Sequence, residues 1–148
     1  MRIRKATEKD FKSLYKIGIE TSEFRVSSSG EFMETDEFMF AIQNPRGTLL
    51  LAEVKEEIIG FIYADRHDPE RPPKTKWVCL VYLVVKPEFR KKGIAQKLYD
   101  ACVRNLKDNG ATRIYGWANS EGDGSIIRFM EKNGFIGGHK YLWMDKEI

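Results

Sequence analysis

The sequence predicts a mixed α/β fold, in which helices flank a β-sheet, and three observations support it. Segments with strand patterns alternate along the chain with segments of helical period. Two β-rich runs, 49–54 and 58–64, lie on either side of a short polar turn and predict a hairpin. The most apolar segment, 77–85, predicts a central strand, which Pro87 cannot continue. A long amphipathic helix is predicted next, over 94–109. We therefore expect one domain over residues 1–148, with the order β-α-α-β-β-β-α-β-α-β.

Length and composition exclude several classes of protein. The chain has 148 residues, a formal net charge of +3, 42% hydrophobic residues and 32% charged residues. It is too apolar and too weakly charged for a disordered chain, and long enough to bury its own core. No run approaches the ~18 consecutive apolar residues of a membrane span, and the start of the chain lacks the apolar segment of a secretory signal. We expect a soluble, cytoplasmic protein that binds neither membranes nor nucleic acid.

The N-terminal half is expected to contain a strand, two helices and the hairpin. A short strand covers 2–6, and Thr7 is expected to cap a helix, with the Asp10 carboxylate reaching back. An apolar stripe continues this helix through Phe11, Leu14, Tyr15 and Gly18. A second helix is predicted over Glu31–Gln43, because Pro45 cannot continue it.

The C-terminal half is expected to begin with a proline-rich loop at 67–76, before the strand at 77–85. Leu98, Cys102 and Leu106 recur every four residues in the helix that follows, which Asn109-Gly110 ends. The last predicted elements are a strand at 113–118, a helix over 126–133 capped by Ser125, and a strand at Tyr141–Met144. The tryptophans Trp77, Trp117 and Trp143 fall in predicted strands and are expected to pack in the core.

The segment 83–95 carries the clearest chemical signal. A buried strand leads into a turn with four basic side chains against one acidic one, and then into a helix N-terminus. The first turn of a helix has unpaired N–H groups and a positive dipole end, and Gly93 allows an anion to approach the backbone. This combination predicts a phosphate or diphosphate site. The spacing fits neither a Walker loop nor a dinucleotide fingerprint.

These residues resemble a known family. Arg90-x-x-Gly93-x-Ala95 is similar to the Gln/Arg-x-x-Gly-x-Gly/Ala signature of the GNAT superfamily of acetyl-CoA-dependent N-acetyltransferases. The lead-in Val85-Lys86-Pro87-Glu88-Phe89 and the later Glu131-Lys132-Asn133-Gly134-Phe135 also resemble that family. The resemblance implies a single-domain GNAT-like fold with a mixed, mostly antiparallel sheet, about four flanking helices and a V-shaped cofactor cleft between strands 77–85 and 113–118.

The resemblance also implies how acetyl-CoA would bind and react. The backbones of Leu83, Val84 and Val85 would pair with the pantetheine arm, and N–H groups of the basic turn would hold the pyrophosphate. The implied cofactor-binding residues are Leu83, Val84, Val85, Arg90, Lys91, Lys92, Gly93, Ile94, Ala95, Gln96 and Asn119. The acetyl group would pass by direct attack to a primary amine, which is a protein N-terminus, a lysine or a small amine.

Two positions depart from the family pattern. The usual general acid is a Tyr directly before Glu131, but Met130 stands there and cannot donate a proton. Cys79 occupies the position where some members carry a basic carboxylate. The replacement acids that the sequence leaves open are Tyr82, Tyr115, Tyr141 and Ser125, and the acidic candidates near the acceptor are Glu20, Glu23, Glu31 and Glu34.

Two alternative functions remain open from the sequence. Because of Met130, the chain could be a non-catalytic acyl-CoA-binding or regulatory module. A nucleic-acid-binding protein is a weaker hypothesis, since no aromatics interleave the basic residues. No cysteine or histidine has metal-ligand spacing, so no metal site is expected and both cysteines are expected to be reduced core thiols. A C-terminal strand edge leaves open a homodimer.

Overall fold

The computed structural model describes residues 1–25, 32–66 and 76–148. Its strands are β1 (Arg2–Lys5), β2 (Thr48–Val54), β3 (Glu57–Asp65), β4 (Trp77–Val85) and β5 (Arg113–Gly116). Its α-helices are α1 (Phe11–Glu20), α2 (Thr35–Gln43), α3 (Ile94–Asp108) and α4 (Ser125–Lys132). No helix in these residues is long and apolar enough to cross a membrane.

The five strands form one sheet in the order β1-β2-β3-β4-β5. The first three pairings are antiparallel, and β4 pairs with β5 in parallel. A parallel pair needs a crossover connection, and α3 supplies it. The predicted mixed, mostly antiparallel sheet flanked by helices is confirmed.

Apolar residues of the two sheet faces form two separate cores. Helices α1 and α2 cover one face, where Leu14, Phe38 and Phe61 are fully buried. Helix α3 covers the other face through Leu98, Cys102 and Leu106, as their four-residue spacing predicts. The second cysteine, Cys79, lies partly exposed on β4, and both cysteines are free thiols.

The predicted hairpin turn is confirmed, and Thr7, as predicted, caps a helical start, which is a 3₁₀ turn over Glu8–Asp10 that leads into α1 at Phe11. The Thr7 backbone N–H and hydroxyl both donate to the Asp10 carboxylate, at 2.8 and 2.9 Å. Asp10 also receives two hydrogen bonds of 2.8 Å from the Arg4 guanidinium, which ties this turn to β1. In the hairpin, Lys55 and Glu56 have φ of 49° and 67°, the pair of positive angles of a tight turn between β2 and β3.

Several predicted boundaries differ from the structure. Helix α2 begins at Thr35, because the Glu34 and Glu37 side chains form a capping box there. The cap of α4 is Gly124 with φ of 67°, and Ser125, the predicted cap, is the first helical residue. The predicted loop at 67–76 lies outside the described residues, except for Lys76.

The strand predicted at Tyr141–Met144 is absent. Residues 136–148 contain no helix or strand. A strand needs a neighbour for its backbone groups, and no described strand of this chain pairs with the segment. The expectation that Trp117 and Trp143 pack in the core is also wrong, because both side chains are exposed.

Candidate functional site

Strands β4 and β5 pair at one end only, which opens a cleft between them. Their register extends from Trp77 opposite Arg113 to Leu80 opposite Gly116. At Gly116 an added Cβ would lie 2.9 Å from the Leu80 carbonyl oxygen, so the strands are in close contact at this apex. Beyond Leu80, residues 82–85 pair with β3 on one side, and no described strand pairs with them on the other. Strand β5 therefore ends at Gly116 and does not reach the predicted residue 118.

A β-bulge marks the point where the cleft opens. Tyr63 pairs with Tyr82, but the next residue, Ala64, pairs with Leu80, so Val81 is an extra residue in β4. As a result, Val81 and Tyr82 both pack on the face covered by α1 and α2, whereas Leu83 packs on the α3 face. No glycine or proline marks this position, so the sequence did not predict the bulge.

Leu83, Val84 and Val85 follow the bulge, where the pantetheine arm is expected. They pair with Ile62, Phe61 and Gly60 of β3. Because backbone polar groups of a strand point alternately to its two sides, part of this backbone faces the open side of β4. These groups are available to an added extended chain.

The turn from β4 to α3 contains a set of backbone N–H groups that have no hydrogen-bond partner among the described residues. Gly93 caps α3 with φ of 74°, and a Cβ built on it would meet no atom within 4 Å. Lys91 also has a positive φ, of 60°. Among the hydrogen bonds of the described residues, none uses the backbone N–H groups of Lys91 to Gln96. Unpaired donors at a helix N-terminus form an anion site.

Two of the four basic side chains in this turn are engaged by carboxylates. Lys86 forms a 2.7 Å ion pair with Glu57, and Arg90 forms one of 3.2 Å with Glu23. Arg90 Nε also donates to the Val85 carbonyl at 2.9 Å, while its backbone N–H donates to Pro87. Arg90 therefore braces the end of β4 against the segment after α1.

Lys91 and Lys92 make no ion pair with any other described residue. Lys92 Nζ donates to the Glu88 carbonyl at 3.0 Å and lies over the Phe89 ring. Lys91 lies close enough to Asp123 to contribute to the low pKa of that carboxyl, whose main cause is the Ser125 backbone N–H. Both lysines belong to the same turn as the unpaired N–H groups.

The loop between β5 and α4 lies near this turn, but its contacts are largely internal. The Asn119 side-chain oxygen accepts the Glu121 N–H at 2.8 Å, and Asn119 itself is exposed. The Asp123 carboxylate accepts the Ser125 N–H at 2.8 Å. Ile94 and Ala95 are the first two residues of α3, and the Ile94 side chain is buried. At the next position, Gln96 exchanges two hydrogen bonds with Asn133, at 2.7 and 3.1 Å, which ties α3 to α4.

Met130 lies at the apex of the cleft. It is buried, and its methyl group is 3.6 Å from a Cβ built on Gly116. The thioether therefore fills the space beside the last pairing of β4 with β5, and it has no proton to donate.

The candidate acids do not converge on one point. Tyr82 packs against Phe24 and Phe32, with ring centroids at 4.6 and 5.1 Å, and burial followed by the Glu37 charge raises its pKa. Ser125 begins α4. Tyr141 is exposed beside Trp117. Tyr115 lies on β5 against Trp77, opposite Cys79.

A groove opens beside the bulge, on the face covered by α1 and α2. Its volume is about 440 Å³, and it is lined by Met33, Asp36, Glu37, Phe40, Tyr63, Asp65 and Val81. Asp65 accepts hydrogen bonds from the Tyr63 hydroxyl at 3.1 Å and from the Asn44 amide at 3.2 Å. The groove thus combines three carboxylates with apolar walls, a lining suited to a cationic ligand.

The sequence analysis did not single out the three carboxylates of this groove. Of the acidic candidates that it suggested, Glu20 and Glu23 line a different cavity of about 250 Å³, next to Lys86 and Arg90. Glu34 caps α2, and Glu31 lies outside the described residues. Only the coming together of α2, β3 and the bulge of β4 brings Asp36, Glu37 and Asp65 to one surface.

Solved structures with the same fold cover nearly the whole chain. The BH1408 protein from Bacillus halodurans, solved as a tetramutant, has a TM-score of 0.80 at 19% identity, covering 99% of this chain and 100% of that one. The aminoglycoside N-acetyltransferase AAC(6')-Iy, in complex with CoA, has a TM-score of 0.74 at 19% identity and covers 99% and 100%. The PaiA N-acetyltransferase from Thermoplasma acidophilum, also with coenzyme A, has a TM-score of 0.71 at 20% identity and covers 91% and 89%.

A family model gives the more specific assignment. No curated protein sequence matches the chain. The model of the acetyltransferase (GNAT) family matches residues 11–135, which include both sheet faces, the cleft, the basic turn and α4. The chain therefore belongs to the GNAT acetyltransferase family.

Proposed function

We propose that this protein is an acetyl-CoA-dependent N-acetyltransferase, formed as one domain over residues 1–148, that acts on a small primary amine. The observation that carries the proposal is the half-open edge of β4 next to unpaired N–H groups at the start of α3. The solved relatives in complex with CoA support the cofactor, and the aminoglycoside N-acetyltransferase supports a small amine as acceptor. The cytoplasmic location stays a prediction.

The described residues fit the cofactor. The open space over Gly93 leaves room for a pyrophosphate, which the N–H groups of Lys91 to Gln96 would hold. Lys91 and Lys92 would add positive charge. The backbone of Leu83 to Val85 would hold the extended pantetheine arm, as an edge strand holds an added strand. We assign Asn119 and Arg90 to the surroundings of this site, because both side chains are already hydrogen-bonded within the protein.

Acetyl-CoA, when bound, supplies the acetyl group as an activated thioester. The chain would orient the acceptor through the groove, where Asp36 and Glu37 attract its ammonium group and Phe40 contacts its apolar part. Backbone N–H groups of the open β4 edge would stabilise the charge that develops on the carbonyl oxygen. We propose that the neutral form of the amine would attack the thioester carbon directly, so that the C–N bond forms, the C–S bond breaks, the amine passes its proton to water and CoA leaves as the thiolate, without a covalent intermediate on the enzyme.

Proton transfer to the leaving thiolate would involve Tyr82 or water. The Tyr82 hydroxyl is protonated at neutral pH, as a proton donor requires, and burial raises its pKa, which makes it a weaker acid than an exposed tyrosine. A thiolate whose conjugate acid has a pKa of about 8.5 also leaves without strong acid assistance.

The test is release of free thiol from acetyl-CoA in the presence of amines. The panel contains a diamine, an amino sugar, lysine and a peptide with a free N-terminus, and we expect turnover with the diamine or the amino sugar. Asp36→Asn should raise KM about fivefold, which corresponds to loss of roughly 1 kcal/mol of charge interaction. The matched control is Asp108→Asn, which removes an exposed carboxylate of α3 that is outside the groove.

Thiol release from no amine in the panel, despite tight CoA binding, would contradict the proposal. An unchanged KM in Asp36→Asn would remove the groove from the acceptor site and leave the cofactor assignment intact.

A further inference from the structure

The open edge of β4 ends at the Arg90 guanidinium. The Lys86 N–H donates to the Ile59 carbonyl at 2.9 Å, so the backbone polar groups of Lys86 point towards β3. Because these groups alternate along a strand, those of Leu83 and Val85 point to the opposite, open side. Arg90 Nε donates to the Val85 carbonyl at 2.9 Å. The guanidinium therefore takes the last acceptor of the edge that we assign to the pantetheine arm.

Glu23 holds this guanidinium from the other side. Its Oε1 accepts a hydrogen bond from Arg90 Nη1 at 3.2 Å, and its Oε2 accepts one from the Ser22 hydroxyl at 3.3 Å, so both carboxylate oxygens have a partner. A hydrogen bond from its own backbone N–H, and to a lesser extent the charge of Arg90, lowers the pKa of Glu23. The carboxylate is thus ionised, and the ion pair present, at neutral pH.

The short 3₁₀ turn Ser22–Phe24 contacts β4 at both ends of the open edge. At one end the Phe24 ring packs on Tyr82, with ring centroids 4.6 Å apart. At the other end Glu23 binds Arg90, which in turn binds the Val85 carbonyl. The two contacts bracket a stretch of β4 that has no neighbouring strand on its open side among the described residues.

The contact at the Arg90 end depends on the ion pair. A cavity of about 250 Å³ lies between the end of α1 and the turn that follows β4, with Ile17 and Thr21 on one side and Pro87 on the other. Apolar packing therefore does not join the two parts here. Glu23 and Arg90 also line this cavity, and their 3.2 Å ion pair connects its two sides.

We propose that Glu23 is a positioning residue of the cofactor site, and that it acts through Arg90 on the Val85 carbonyl. The pair keeps the end of the open edge in a fixed place relative to the unpaired N–H groups at the start of α3. This inference rests on the proposed binding of CoA, whose pantetheine arm and pyrophosphate are parts of one molecule. A site that holds both parts in the right relative position before binding pays less to order them afterwards.

Two roles of Arg90 predict opposite effects of removing the Glu23 charge. If Arg90 is a ligand of a phosphate, Glu23→Gln releases the guanidinium, and CoA binds more tightly. If Glu23 positions Arg90, the same variant binds CoA more weakly. We expect a loss of about fivefold, because the Arg90 and Glu23 side chains are 43% and 54% exposed and an ion pair of this kind makes a modest contribution.

The matched control is Glu57→Gln. Glu57 is also 54% exposed, and it forms a 2.7 Å ion pair with Lys86 at the same end of β4, so the variant removes the same charge from the same region. Lys86 remains bound to β3 through its backbone N–H, so the end of the strand keeps its place. We expect Glu57→Gln to bind CoA as tightly as the wild-type protein or slightly more tightly.

Titration calorimetry with CoA gives the Kd, and steady-state kinetics give kcat and the KM for acetyl-CoA. Glu23→Gln should raise the Kd and this KM about fivefold and leave kcat unchanged, because the bound acetyl group meets the same residues. Arg90→Ala should also weaken binding, and adding Glu23→Gln to it should have no further effect, since Glu23 acts through Arg90. Thermal unfolding should give similar Tm values for Glu23→Gln and Glu57→Gln.

CoA affinity in Glu23→Gln that equals or exceeds that of Glu57→Gln would overturn the inference. A further loss of affinity on adding Glu23→Gln to Arg90→Ala would also overturn it, as would a lowered Tm without a change in Kd, which makes the pair purely structural. These outcomes leave the cofactor assignment intact. A wild-type protein that does not bind CoA would instead overturn the proposed function, and this inference with it, so the two failures are distinguishable.

Discussion

Replacing Gly93 with leucine should remove CoA binding while the fold persists. Gly93 has φ of 74°, and no atom lies within 4 Å of an added Cβ, so the side chain causes no clash within the protein. The cost to folding is then the backbone strain of a left-handed residue, roughly 1–2 kcal/mol. In a chain of 148 residues this lowers the Tm by roughly 3–8 °C.

The effect on CoA follows from the lost donors. The leucine side chain would occupy the space over the N–H groups at the start of α3, which we assign to the pyrophosphate. Each hydrogen bond to a charged group contributes about 1.5–3 kcal/mol, so the loss of two raises the Kd for CoA at least ~100-fold.

The control is Gly134→Leu. Gly134 follows the C-terminal end of α4, has φ of 82°, and a Cβ there also meets nothing within 4 Å. The Gly134→Leu variant therefore has the same backbone strain as Gly93→Leu, but away from the proposed pyrophosphate site. Titration calorimetry with CoA and thermal unfolding should show equal loss of stability in both variants and loss of CoA affinity in Gly93→Leu alone. Equal CoA affinity in the two variants would refute the assignment of this turn to the pyrophosphate.

Two further predictions concern Asp10 and Met130. The Arg4 guanidinium lowers the pKa of Asp10 well below its ordinary value of 3.8, so the ionised carboxylate stabilises the fold above that pH and the contribution is lost as the pH falls below about 4. Asp10→Asn should cost about 2–3 kcal/mol in urea unfolding at pH 7, and this cost should shrink progressively as the pH falls below about 4; a pH-independent cost would contradict this account. Met130→Tyr should raise thiol release about tenfold or more, because a hydroxyl at the apex of the cleft supplies a missing acid; an unchanged rate with an intact fold would mean that water or Tyr82 already serves.

Elements whose stability depends on local chemistry or on one buried stripe were predictable from the sequence. The hydrogen bonds from Thr7 to the Asp10 carboxylate join residues only three positions apart in the sequence. The burial of Leu98 and Cys102 follows from their helical spacing, because the apolar stripe of a helix packs against the sheet in a fold of this class. The Lys55-Glu56 turn followed from two β-rich runs on either side of a short polar gap.

Features that depend on a partner from elsewhere were not predictable. The strand expected at Tyr141–Met144 had the right residues, but strand formation requires a neighbouring backbone, and none of the described strands supplies one. The bulge at Val81 arises from a register change between β3 and β4, and nothing in the residues around it requires it. The acidic groove depends on both the bulge and the approach of α2.

The charge of the chain shows why composition alone gives little information about the site. The basic turn holds four cations against Glu88, and this local excess equals the net charge of +3. In the folded protein, however, Lys86 and Arg90 are bound to Glu57 and Glu23, carboxylates that are distant in sequence. The attraction for an anion that we propose therefore depends on Lys91, Lys92 and, above all, on backbone N–H groups, which every residue except proline carries. Only Gly93 marks their exposure in the sequence, which is why its substitution is a sharper test of the site than removal of any single charge.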